Sequence, residues 1–132
     1  MITLPFLTLT SDEPYWVTRE TFLSAFDQED FKFREVLGIH HAYLSDWFHT
    51  QEKEKVFFSI PTVSIVSGKT QFINGRHRTA VLLAHLEEIP IAFAMNHLMP
   101  DARRVAESIP KRPLSLSEPF FLPDLPICNS LP

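Results

Sequence analysis

Helix-period and strand-period stretches of apolar residues follow one another along the chain and predict an α/β (α+β) domain. Tyr15-Trp16-Val17 reads as a short strand. Thr18 stands where a helix N-cap belongs, ahead of Phe22, Leu23 and Phe26 on one predicted helix face. A longer helix is expected over about residues 39–54, because Ile39, Tyr43, Leu44, Trp47 and Phe48 recur at helical spacing. Val56-Phe57-Phe58 and Thr62-Val63-Ser64-Ile65-Val66 read as extended, with Pro61 between them arguing for a break or a sheet edge. Ser67-Gly68-Lys69-Thr70 is a turn signal, and Gln71-Phe72-Ile73 returns as a strand.

After Asn74-Gly75, the run Thr79-Ala80-Val81-Leu82-Leu83-Ala84 predicts a helix buried on most sides. Ile91, Phe93 and Met95 then alternate as in a strand. Strand, helix and strand in quick succession predict a βαβ unit in a small mixed sheet with packed helices. If its strands are parallel, its crossover should be right-handed. A last helix is expected from Asp101 to Ile109, opened by Pro100 and closed by Pro110. Six of the eleven prolines fall beyond residue 109, so residues 110–132 should form an extended tail poor in regular structure. Phe120, Phe121, Leu122, Leu125 and Ile127 are too apolar for a solvated linker. The expected organisation is one domain over residues 1–109, with the tail packed on it or on a partner.

The chain has 132 residues, 45% of them hydrophobic, which suffices for one packed core without staples. A lone cysteine, Cys128, cannot form an internal disulfide, and neither a signal peptide nor a membrane span is legible. These features predict a cytoplasmic protein. The net charge of -4 disfavours nucleic acid as a partner, although Arg76, Arg78, Arg103, Arg104, Lys111 and Arg112 leave room for a local basic patch. His40, His41, His49, His85 and His97 lack zinc-site spacing, and no metal ligands are assigned.

The segment with the clearest chemistry is Asn74-Gly75-Arg76-His77-Arg78-Thr79. Glycine lets the chain turn sharply and lets a ligand approach the backbone. A helix start offers unpaired N–H groups and the positive end of a dipole, which together suit phosphate. Arginine can grip phosphate oxygens in bidentate fashion, and histidine can donate or carry a proton near neutral pH.

The run from Phe72 to Leu82, continuing to Ile89-Pro90-Ile91, resembles the second conserved box of the ParB/sulfiredoxin superfamily, with the likeness covering about residues 56–95. Some plasmid fertility-inhibition proteins look like members of that group. The resemblance implies a strand, a Gly-x-x-Arg turn, a helix and a further strand, with ATP or CTP and Mg²⁺ as ligands. Gly75 matches the turn glycine, and His77-Arg78 match a phosphate-touching pair. Arg76 stands where sulfiredoxins carry their cysteine and partition proteins a glutamate, and Asn74 where related free-serine kinases carry an aspartate. The thiol and that carboxylate are therefore both missing.

Such sites are completed by an upstream box, for which Lys32-Phe33-Arg34-Glu35 is the candidate. Arg34 would be a second phosphate ligand, and Glu35, or His77 in a second role, a general base. The expected function is binding of a nucleotide or other phosphorylated ligand at residues 74–79 with weak or no turnover, in a regulatory role. Two rivals stand beside it: a nucleotide hydrolase, phosphotransferase or nuclease, and a non-catalytic inhibitor of plasmid transfer that works through a protein partner.

Overall fold

The computed structural model describes residues 2–8, 11–31, 57–83, 85–95 and 98–122. The helix expected over residues 39–54 and the candidates Arg34 and Glu35 lie outside the described residues. In chain order the elements are β1 (Ile2–Leu4), β2 (Phe6–Leu7), β3 (Glu13–Thr18), α1 (Arg19–Ala25) and α2 (Gln28–Phe31). They continue with β4 (Phe58–Ser59), β5 (Thr62–Val66), β6 (Lys69–Asn74), α3 (Arg76–Leu83), β7 (Glu88–Phe93), α4 (Pro100–Ser108), β8 (Arg112–Pro113) and β9 (Phe120–Leu122).

A five-stranded mixed sheet in the order β6-β5-β7-β3-β8 organises the fold, with β2-β4 and β1-β9 as two-stranded satellites. β5 and β6 form a tight antiparallel hairpin around Ser67-Gly68, with Val66 paired to Lys69. Both loop residues have positive φ, 52° and 78°, as the commonest two-residue hairpin turn requires. β7 lies between β5, to which it is parallel, and β3, to which it is antiparallel. The strand-helix-strand order predicted around residues 71–95 is present as β6-α3-β7, but β5 sits between these strands and they run in opposite directions. The parallel crossover is therefore β5 to β7, by way of the hairpin strand and α3. Residue periodicity marks strands but says nothing of which neighbour they take.

Thr18 caps α1 by accepting the N–H of Thr21 at 3.3 Å. Phe22 and Phe26, four residues apart, are buried, whereas Leu23 is 56% exposed. The expected stripe is thus narrower than predicted, because Leu23 is turned about 100° from Phe22 around the helix. Along β7 the predicted alternation gives way to burial of every residue from Ile89 to Met95, as befits a strand covered on both faces. Pro90 is tolerated in this inner strand because the ladder to β5 reaches only Ala92 and Phe93, leaving one edge unpaired at position 90.

α1 packs on β3, α2 on β6 and α3, α3 on β7, and α4 on β5. The core runs through Val17, Phe22, Val63, Leu82, Ile91 and Phe93. Each large side chain fully removed from water there contributes about 1.5–3 kcal/mol. Residues beyond 109 return to this body. β8 adds to the edge of β3, Leu114 is buried, and Phe120 stacks on Phe6 with ring centroids 5.3 Å apart. β9 pairs antiparallel with β1. Cys128 and the end of the tail lie outside the described residues. No helix among the described residues is long and apolar enough to cross a membrane.

Candidate functional site

β6 ends in an irregularity that sets up the turn. Thr62 pairs with Asn74 but the next residue, Val63, pairs with Phe72, so Ile73 is an extra residue on β6. Such a bulge bends its strand and re-aims the residues beside it. Gly75 follows with φ 93°, a conformation that costs glycine little and other residues more. The chain then enters α3, whose first turn closes with Thr79 N–H donating to Gly75 O at 3.0 Å. The N–H groups of Arg76, His77 and Arg78 precede that bond and have no acceptor within the helix. The three basic residues thus ride on the first turn of a helix whose dipole is positive at this end.

α3 is pinned at both ends. Thr79, Ala80, Leu82 and Leu83 are buried, which matches the predicted burial of this helix. The side chains of His77, Arg78 and Val81 lie outside the described set, as does Ala84. At the far end, the Arg19 guanidinium donates to Leu83 O through Nε at 3.0 Å and through Nη2, and to Leu86 O at 3.1 Å. A cation on the last carbonyls satisfies acceptors that the helix leaves open and complements its dipole. At the near end, Arg76 Nη1 donates to Asp30 O at 3.3 Å and faces Asp30 Oδ1 at 3.5 Å. Asp30 Oδ2 in turn accepts the Phe72 N–H of β6 at 2.6 Å. Asp27 takes the neighbouring position, its Oδ2 accepting Gln71 Nε2 at 2.7 Å while its own N–H donates to Thr70 O. The α1–α2 junction therefore covers the outer edge of β6, which would otherwise be open to another strand.

A cavity of about 480 Å³ opens where β6 and β7 end and β3 and β5 begin. Its polar lining consists of Thr8, Ser11, Asp12, Ser59, Thr62 and Asn74. Leu7, Ile60, Ile73 and Ala94 supply an apolar wall. The bulged pair Ile73-Asn74 links this cavity directly to the Gly75 turn. Its volume falls within the range of about 300–1,000 Å³ common for small-molecule sites. Among the described residues lining it, Asp12 is the only carboxylate, and it is 7% exposed.

The predicted site residues fall into three groups. Asn74 is exposed at the cavity, Gly75 makes the turn, and Arg76 is half-buried against Asp30. Thr79 is fully buried, and its hydroxyl has no hydrogen-bond partner among the described residues. For His77 and Arg78 the backbone alone is placed, in α3. Sequence reading missed Asp12 and Asp30. Asp30 brings a carboxylate to the turn from 46 residues upstream, four positions in sequence before the candidate Arg34. Its signal was weak, a single acid in the acidic stretch Asp27-Gln28-Glu29-Asp30. Asp12 lay in an ordinary turn sequence, and only the meeting of the ends of β6 and β7 beside the start of β5 gives it a cavity to line.

Elsewhere, the perturbed groups are structural. Burial lowers the Lys111 pKa, yet its Nζ donates to Ala106 O at 2.7 Å and so caps α4. Burial, with the Glu13 carboxylate accepting its hydroxyl at 2.9 Å, raises that of Tyr15. Tyr15 and Trp16 pack edge-on against Phe93 and Phe6, as core aromatics rather than a stacking platform. His85 is exposed. Among the described residues no group of three or more His, Cys, Asp or Glu side chains is arranged to hold a metal ion. No family model, curated protein or solved structure matches the chain.

Proposed function

We propose that this domain binds a nucleotide or another phosphorylated small molecule, its phosphate against residues 74–79 and its remainder in the adjoining cavity. The reading rests on one arrangement: a cavity of about 480 Å³ that meets, through Ile73 and Asn74, a positive-φ glycine opening an Arg-His-Arg helix start. The resemblance of residues 56–95 to the ParB/sulfiredoxin superfamily, carried by the same turn, points the same way and makes ATP or CTP the first ligands to try. Mg²⁺ would arrive with the phosphates, since it is held by one or two carboxylates plus phosphate oxygens.

Binding with little turnover, in a regulatory role, is the form of the proposal that fits the residues present. Holding phosphate needs donors, which the turn has in number. Activating water or a hydroxyl needs a base in reach as well. Among the described residues, Asp30 is the carboxylate that meets the turn directly, and it is engaged by Arg76 and by the Phe72 N–H.

Thermal melts in phosphate, sulfate, ATP and CTP, each with and without Mg²⁺, test the reading. A bound anion raises the melting temperature by linkage, by the equivalent of about 2.7 kcal/mol at a hundredfold excess over Kd. Arg78→Ala should lose most of that rise. Equal stabilisation of both proteins would move the site elsewhere. Release of inorganic phosphate at enzymic rates, lost in Arg78→Ala, would replace the binding module with an enzyme.

A further inference from the structure

We propose that Ile73 selects the ligand, and that the ligand carries an apolar ring along with its phosphate. The inference rests on the reading of residues 74–79 as the phosphate site and adds what occupies the cavity beside it. That cavity has hydrophilic side chains around it but shows a ligand few of their polar atoms. Asp12 is buried and already has a partner within the protein, and neither its Oδ2 nor the Thr8 hydroxyl oxygen is reached by solvent. A ligand there meets mainly carbon, with Leu7, Ile60, Ile73 and Ala94 forming the wall.

Ile73 is the member of that wall with most surface left to cover. Ile60 and Ala94 are buried by the fold itself, whereas Ile73 is 62% exposed. A single exposed isoleucine on a protein surface calls for no explanation. Ile73 differs because it continues an apolar wall and stands two residues before Gly75. It is also the extra residue of the β6 bulge, a device that re-aims a side chain. Water held against Ile73 in the free protein is released when a ring is laid on it, and the gain scales with the apolar area covered. A sugar hydroxyl in the same place would lose its water without gaining a partner. The start of α3, with Arg76, His77 and Arg78, favours the anionic end of the ligand. The two ends of the site thus differ in kind, and that difference fixes which way round the ligand lies.

Calorimetric titrations with inorganic phosphate, ribose 5-phosphate, phenyl phosphate and AMP decide the matter. Wild type should bind the better of the two ring compounds about tenfold tighter than ribose 5-phosphate, or more, as covering one apolar side chain implies. Ile73→Ser should abolish most of that preference, and Ile73→Leu, equally apolar, should keep most of it. Phenyl phosphate binding tighter than AMP identifies an aryl phosphate as the source of the ring. AMP binding tighter identifies a nucleotide, whose base reaches the wall across its ribose. If Ile73→Ser does not fold, judged by circular dichroism, the wild-type preference decides by itself. Ribose 5-phosphate binding as tightly as both ring compounds, with phosphate binding still lost in Arg78→Ala, would overturn the role of Ile73 and leave the phosphate site standing. A preference that folded Ile73→Ser retains in full would do the same. No binding of any phosphate compound would remove both.

Discussion

Arg76 Nη1 stands 3.5 Å from Asp30 Oδ1, so the first cation of the proposed phosphate-binding turn is already paired with an acid from α2. The same carboxylate holds the backbone of β6 through the Phe72 N–H. Asp30 therefore has a structural task and an electrostatic effect, and the two can be separated. Asp30→Asn keeps an acceptor for Phe72 and removes the charge. It should tighten phosphate binding several-fold, an effect that shrinks in high salt because the pair is partly exposed. Asp30→Ala also leaves Phe72 N–H without its acceptor and should cost about 1–3 kcal/mol of stability. Urea denaturation beside phosphate titrations checks both. Unchanged affinity in Asp30→Asn would mean that Arg76 takes no part in binding.

The position of α3 depends on burial. Leu83 is 1% exposed in the core beneath the helix. Leu83→Ala should cost about 2–5 kcal/mol, as buried large-to-small changes do, with a lowered urea midpoint. A cost well under 1 kcal/mol would make α3 peripheral.

The other anchor of α3 is Arg19, whose guanidinium serves two carbonyls at the helix end. Its ion pair to Glu87 is exposed and contributes little, since the Glu87 side chain is 86% accessible. The carbonyl bonds matter more. Arg19→Met, which keeps the stem and removes the donors, should cost about 1–2 kcal/mol. Glu87→Gln should cost less than about 0.5 kcal/mol. Equal costs for the two would assign the effect to the ion pair.

How much of this was legible in the sequence depends on how local each signal was. Thr18 as a cap, Ser67-Gly68 as a hairpin turn, Pro100 at the start of α4 and Gly75 between β6 and α3 all act through their neighbours, and the residues themselves announce them. The order of strands does not work that way. β5 lies between β6 and β7 because of how faces pack, and the period of two shared by all three strands carries no information about it. The site divides along the same line. The turn at residues 74–79 could be read from its composition, but its cavity is made with Asp12, Thr62 and Ala94, which come from three separate stretches of chain. Asp30 reaches Arg76 only because α2 lies along the edge of β6. The tail illustrates the reverse case: its prolines forecast irregular chain, while Leu114 and Phe120 supply the apolar contacts that draw it back onto the core.

Asp27 gives the fold a predictable response to acid. Its pKa is lowered chiefly by the hydrogen bond from Gln71 Nε2, and backbone N–H groups at the start of α2 lower it further. A carboxylate whose pKa is lower folded than unfolded binds fewer protons in the native state. Stability then rises with pH across the interval between the two values. The contribution is complete above the unfolded value of about 3.9 and disappears as pH falls through the lower, folded value. Gln71→Leu removes the main cause of the shift, so the variant should be less stable than wild type at pH 7. The gap should narrow below pH about 4, as Asp27 takes up a proton and the bond loses its charge. Urea midpoints of the two proteins at neutral pH and at a series of acid values test this. A gap that stays constant into acid would mean that the hydrogen bond acts without the charge on Asp27, and that acid sensitivity comes from another carboxylate.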